Sequence, residues 1–279
     1  MNRALPIGLV AVAIVVAIVV GRSRGGRDEG ARCGPGFVAG GARCLVPAGA
    51  PCPRPLVPSP LGCDAPDVRV LVPEATLVIG PSDWEAEGRV QPRTVHAGPF
   101  RMDAFEVTRG RWGNAAPGDA ARAASGMTRA EAEAFCESQR DGAGAGRLPT
   151  EDEWIVAAVS GSSPPPRYPW GETGAVCRRA VWGLGAGPCA RVAPSPGAAD
   201  PGPDTVGAHP AGDSLLGIHD LSGNAAEWVA TEGAGGAAAV AKGGSWASDL
   251  AADLRVWAEL DLAPGARDPR VGLRCVYPP

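Results

Sequence analysis

Hydrophobic and polar positions divide the chain into three stretches of different character. Residues 4–21 are uncharged throughout, with Arg3 before them and Arg22, Arg24 and Arg27 after them. As a helix this run is roughly 27 Å long, just short of the ~30 Å hydrocarbon core of a bilayer. It reads as a signal peptide cleaved after Gly21 or as an uncleaved membrane anchor. Residues 22–66 show little periodicity and are rich in Gly, Pro and Cys. From residue 67 onward the pattern is that of a folded domain. Residues 68–80 are rich in Val, Leu and Ile around Pro73-Glu74, which predicts strand, turn, strand, and a second extended stretch covers 94–108. Thr128 with Glu131, and Thr150 with Glu153, each form a capping-box pattern that opens a helix. The first helix runs to about Gln139 with Ala132, Phe135 and Cys136 on one face; the second places Trp154, Ala157 and Ala158 together and cannot extend past Pro164-Pro165-Pro166. Beyond it lie loops with short apolar runs at 215–221, at Trp228 and at 254–257. The result is one mixed α+β domain with much irregular structure.

Composition sharpens this picture. The 40 Gly and 29 Pro favour a loop-rich fold, and a hydrophobic fraction of 45% is sufficient for a core. A net charge of −4 provides no basic footprint for nucleic acid. Lys242 is the single lysine, and only His96, His209 and His219 are available as imidazoles, so a three-histidine metal site would consume all of them. The arginines after the apolar run would keep the body cytoplasmic by the positive-inside rule. The cysteines oppose that orientation: eight of them, an even number, follow an export-like segment. They outweigh the arginines, since a cytosolic body would leave eight thiols without a role, and the body is expected outside the cytoplasmic membrane. Cys33, Cys44, Cys52 and Cys63 lack the short knuckle spacing of a zinc site, and the pairs Cys33–Cys44 and Cys52–Cys63 are expected, although four cysteines permit three pairings.

Individual residues admit chemical readings. Gly142, Gly144 and Gly146 are not a phosphate loop, because no strand precedes them and no GK[ST] follows. Trp170 before Gly171 reads as an aromatic plug beside a turn. His219 next to Asp220 is either a metal or acid/base pair or, more commonly for such a histidine, a structural hydrogen-bonder. In DLSGNAAEW (220–228), Asp220 and Glu227 offer carboxylates on either side of a Gly223-Asn224 turn. That pattern suits calcium, which takes converging carboxylate and carbonyl oxygens; the plainer alternative is a carboxylate pair buried against arginine.

The motifs FRMDAFEVT (100–108), AEAFC (132–136), GRLPTEDEW (146–154), YPWG (168–171), DLSGNAAEW (220–228), KGGSW (242–246) and VGLRC (271–275) occur in the order found in the formylglycine-generating enzyme family, the sulfatase-modifying factor domains. Seven motifs in that order make the chain resemble the family from residue 67 onward, with the first 66 residues outside the resemblance. The resemblance implies a loop-rich variant of the C-type-lectin-like fold, with two helices and small twisted sheets. It implies calcium held by Asp220, Gly223, Ala225 and Glu227. At a second calcium site of the family this chain has Ala180 in place of a side-chain ligand, and only Asp200 has a counterpart. It also implies a disulfide between Cys136 and Cys275, which leaves Cys177 and Cys189 to pair. The family's two copper(I)-binding cysteines correspond here to Ser248 and Asp253, and no cysteine lies between Cys189 and Cys275. Copper is therefore not expected, since copper(I) requires soft thiolates. The expected function is that of an exported or membrane-anchored, non-catalytic or repurposed domain that binds a peptide, glycan or partner protein. The alternatives are an active oxidase that converts a substrate cysteine to formylglycine, and different chemistry at Ser248, Asp249 and Asp253.

Overall fold

The computed structural model describes residues 33–40, 43–80, 92–142, 144–185, 187–189, 202–232 and 238–279. The apolar run 4–21 and Asp200 lie outside the described residues. Among the described residues no helix is long and apolar enough to cross a membrane.

Two small hairpins come first. β1 (Val38–Gly40) pairs antiparallel with β2 (Arg43–Leu45), and β3 (Val57–Ser59) with β4 (Gly62–Asp64). The Cys33–Cys44 and Cys52–Cys63 disulfides brace them. Phe37, Cys44 and Leu56 bury against Phe105, Val206 and Ala208 of the body, so this segment shares a core cluster with the domain.

The two strands around Pro73-Glu74 form, but they diverge. β5 (Arg69–Val72) joins a three-stranded sheet, order β15-β8-β5, with β8 (Phe100–Asp103) and β15 (Val276–Tyr277), whereas β6 (Ala75–Ile79) pairs with β7 (Arg93–Ala97). The turn thus hands the chain from one sheet to another. The stretch 94–108 is strand only as far as Asp103, and Thr108 then caps a single helical turn, α1 (Arg109–Trp112), that no sequence periodicity announces.

α2 (Arg129–Ser138) and α3 (Glu151–Val159) begin at Thr128 and Thr150, and both capping boxes are complete. α3 stops at Ser160, which is left-handed with φ 54°, before the proline run exerts any effect. Its residues from Trp154 to Val159 are buried all round rather than on one face. A two-stranded ribbon follows α2, formed by β9 (Arg140–Asp141) and β10 (Gly144–Ala145). The last sheet runs β13-β12-β11-β14, built from β11 (Ala226–Glu232), β12 (Ala239–Lys242), β13 (Glu259–Leu262) and β14 (Val271–Gly272). β11 and β14 are parallel and the other pairs antiparallel. Cys136 of α2 bridges to Cys275 just before β15, and Cys177 bridges to Cys189. No cysteine is free. Four disulfides fit an oxidising compartment outside the cytoplasm.

Candidate functional site

Two adjacent loops carry the candidate chemistry. The first, residues 220–227, is folded by backbone conformations that few side chains tolerate. Asp220, Gly223 and Asn224 are left-handed, with φ of 58°, 85° and 60°. A Cβ on Gly223 would lie 2.6 Å from the Val181 carbonyl oxygen, so a turn this close to its neighbour needs glycine. Asn224 then ties four segments together. Its N–H donates to Val181 O (2.8 Å), its carbonyl accepts from Trp246 N (2.9 Å), its Nδ2 donates to Glu106 Oε2 (2.5 Å) and its Oδ1 accepts from Asp204 N (2.6 Å).

Behind the loop lies a buried charge cluster. Glu106 is 1% exposed and accepts the Ala225 N–H at Oε1 (2.9 Å). Asp220 Oδ2 accepts the Gly207 N–H at 2.6 Å. Glu227, at the start of β11, takes the Trp154 indole N–H at Oε2 (2.8 Å) and Arg274 Nη2 at Oε1 (2.8 Å), and Arg274 Nε lies within 3.2 Å of both its oxygens. Arg274 also donates to the Asp103 and His219 carbonyls, and its side chain is 0% exposed. Three carboxylates thus face one guanidinium in a desolvated interior. Burial, reinforced by the charges of Asp220 and Glu227, holds the Glu106 carboxyl well above its usual range. Burial likewise raises Asp220. Both oxygens of Glu227 are taken by Trp154 and Arg274, both of Glu106 by Asn224 and Ala225, and one of Asp220 by Gly207.

His219 does not pair with Asp220. Its Nδ1 meets Asp213 Oδ1 at 2.9 Å and its ring stacks on Phe105 with centroids 4.4 Å apart, which is a structural role. Trp170 stacks on Tyr168 beside the turn at Gly171, with centroids 4.9 Å apart.

The second loop, 244–253, opens on a cleft of about 390 Å³ lined by Ser245, Ser248, Asp249, Asp253, Glu259 and Arg270. Gly244, with φ 68°, brings its two sides together: a Cβ there would lie 2.6 Å from Asp253 O and 3.2 Å from Ser248 Oγ. Ser248 Oγ accepts the Ser245 N–H at 3.0 Å, and Gly183 donates to its carbonyl at 2.8 Å. Arg270 is held by Asp268, with bonds of 2.6 and 2.9 Å. Its charge is therefore already matched; Glu259 is likewise neighboured by Lys242, so Asp249 and Asp253 are what leave the cleft negative. Below the cleft, Lys242 is 0% exposed, with Nζ 3.3 Å from Glu151 Oε1 and 3.6 Å from Glu259 Oε1. Burial lowers the Lys242 ammonium and raises Glu259.

The sequence reading places Asp220, Gly223, Ala225 and Glu227 in one loop, and the structure surrounds that loop with residues the reading does not single out. Glu106 and Arg274 are the largest omissions. Each is a charged residue inside an apolar run, between Phe105 and Val107 and between Leu273 and Cys275, and that is the signal that could have marked them.

Comparison with known proteins agrees with this architecture. Among curated proteins none matches the chain. Three solved structures share its fold. PvdO from Pseudomonas aeruginosa is 17% identical, covering 82% of this chain and 100% of its own, with a TM-score of 0.59. Treponema denticola variable protein 1 is 20% identical, covering 76% and 95%, with a TM-score of 0.57. CarF is 18% identical, covering 77% and 99%, with a TM-score of 0.54. The model of the sulfatase-modifying factor enzyme 1-like domain matches residues 119–278. With more than half its length matched and its fold in agreement, the chain belongs to the sulfatase-modifying factor enzyme 1-like family.

Proposed function

We propose that this domain is a non-catalytic, repurposed member of its family that works outside the cytoplasm and binds a ligand in the cleft over Ser248 and Asp253. The observation that carries this reading is the cleft itself, which is open at the position where the resemblance implies a copper dithiolate yet holds a hydroxyl and a carboxylate. A serine hydroxyl keeps its proton at neutral pH, and an aspartate is a hard donor, so neither replaces a thiolate toward copper(I). The cleft's acidic lining favours a peptide segment or partner surface with basic side chains over an acidic one, and over a neutral glycan. The run 4–21 serves as the export signal or membrane anchor in this reading.

The test supplies copper, reductant and a cysteine-containing sulfatase peptide and looks for the aldehyde by mass spectrometry. No aldehyde is expected, and turnover by the unmodified protein would defeat the reading. Basic peptides should bind in a salt-dependent manner, and Asp253→Arg should abolish that binding.

Calcium at Asp220, Gly223, Ala225 and Glu227 belongs to the same proposal, as a structural ion that relieves the carboxylate excess around Arg274. A ligand that binds only the folded state raises the melting temperature by mass action. Chelator should lower the melting temperature of the parent and leave that of Asp220→Ala unmoved. Equal melting of the parent with and without chelator would assign the loop to the arginine-paired network alone.

A further inference from the structure

Three arginines gather where the first hairpin joins the body, in a part of the molecule that the candidate site does not use. Arg43 opens β2, Arg109 opens α1, and Arg122 lies on a segment whose backbone pairs with Thr205. Cys44 seats β2 beside that segment, since its N–H donates to both carboxylate oxygens of Asp204 at 3.0 and 2.8 Å. The preceding residue, Pro203, accepts Arg122 Nε and Nη2 at its carbonyl, at 3.0 and 2.8 Å. Arg122 Nη1 donates to Asp119 Oδ1 at 3.3 Å, and Arg109 Nη1 donates to the other oxygen of the same carboxylate. Burial first, and then the charges of Arg43 and Arg109, lower the Arg122 guanidinium below its ordinary range.

Donors outnumber acceptors here. A guanidinium carries five N–H groups in a planar fork. Arg109 commits one of its own to Asp119, and Arg122 divides its bonds between Asp119 and Pro203. Arg43 commits none: it is only 9% exposed, yet among the described residues it has no hydrogen bond and no ion pair. An arginine this buried is almost always paired. None of its nitrogens is sealed in the interior, so a buried stem holds the guanidinium at an opening to solvent. Asp204 does not serve it, because its oxygens are turned to the Cys44 and Thr205 N–H groups and to His209.

We propose that Arg43, Arg109 and Arg122 form a binding site for a tetrahedral oxyanion of the sulfate or phosphate class, free or as the head of a monoester. A carboxylate has two oxygens and is filled by one fork, as Asp268 is by Arg270. Forks that arrive from β2, from α1 and from the segment at Arg122 suit an anion with oxygens on several sides. A doubly charged anion among them screens Arg43 and Arg109 from Arg122 and pairs the one guanidinium that has no partner. The hairpin supplies one arginine and the body two, so the anion fastens the hairpin to the body. It carries the opposite charge to the ligand of the cleft, and no residue of the cleft takes part.

The experiment titrates the full, disulfide-bonded chain with inorganic phosphate, inorganic sulfate and phenyl phosphate in a calorimeter, with sodium chloride holding the ionic strength constant. Binding of one anion per chain is expected, with a higher melting temperature than in chloride alone, because the anion binds only the folded state. Phenyl phosphate that binds more tightly than inorganic phosphate identifies a monoester as the source, and equal or weaker binding identifies the free ion. Arg43→Gln should weaken binding by about ten- to a hundredfold, the loss that removing charged hydrogen bonds causes. Asp119→Asn removes the carboxylate that competes for two of the forks, and it should bind phosphate at least as tightly as the parent. No heat and no melting shift in the parent beyond those of chloride overturns the proposal without recourse to any variant. Undiminished binding by a folded Arg43→Gln protein overturns it as well. Should Arg43→Gln fail to fold, Asp119→Asn still decides: phosphate binding weaker than the parent's would mean that the carboxylate builds the cluster rather than competes within it, and the site would fall.

Discussion

Loops 220–227 and 244–253 are neighbours, joined by the bonds Gly223 N to Gly243 O and Trp246 N to Asn224 O, yet they differ in every physical respect. The first buries its charges: Glu227 and Arg274 have side chains 1% and 0% exposed, and the polar atoms of Asn224 are matched by Glu106 and Asp204. The second turns Asp249 and Asp253 toward solvent around a cleft. Desolvation polices the first loop, because losing either partner of a buried pair strands the other. Water forgives the second, because an exposed side chain can change with little effect on the core. A family frame can thus persist around a site whose chemistry has been replaced.

The contrast can be broken by substitution. Arg274→Ala removes the only guanidinium that faces Glu227 among the described residues, and it should cost about 3–5 kcal/mol in denaturant unfolding. A cost below about 1 kcal/mol would mean that the buried cluster is not what holds the loop. The next effect is a dependence on pH. Glu106 sits above its ordinary value of 4.5 when folded, so the folded protein keeps a proton that the unfolded chain has lost. Its contribution to stability is therefore fullest below pH 4.5 and declines as pH rises through the window above that value. The decline is at most about 1.4 kcal/mol per pH unit for one group. Glu106→Gln should flatten that part of the stability curve, and an unchanged slope would place the titration elsewhere. The smallest effect belongs to the cleft. Ser248→Ala and Asp253→Ala should each shift stability by less than about 0.5 kcal/mol, and a larger loss would show that the second loop is framework after all.

Legibility in the sequence follows the same division. α2 and α3 were readable because Thr128 with Glu131, and Thr150 with Glu153, specify a helix start within four residues. α1 was not, since a single turn capped by Thr108 has no periodicity to display. The strands around Pro73-Glu74 were visible but their partners were not: adjacent strands commonly form a hairpin, whereas here β5 pairs with β8 and β6 with β7 in separate sheets. In the candidate site, Asp220 and Glu227 announced themselves by proximity in the chain. Glu106 reaches Asn224 across 118 residues and Arg274 reaches Glu227 across 47, and a spacing rule has no access to contacts made only by the finished fold.

Lys242 offers a practical consequence. It is the chain's one lysine, it lies on β12 between β11 and β13, and its ammonium is wholly enclosed. A reagent that acylates lysine side chains therefore finds none on the folded surface, and it can reach this amine only when β12, an interior strand of that sheet, comes away from its neighbours. The rate at which Lys242 becomes labelled is then a clock for the opening of the domain's interior, set at one known position and undisturbed by any other lysine.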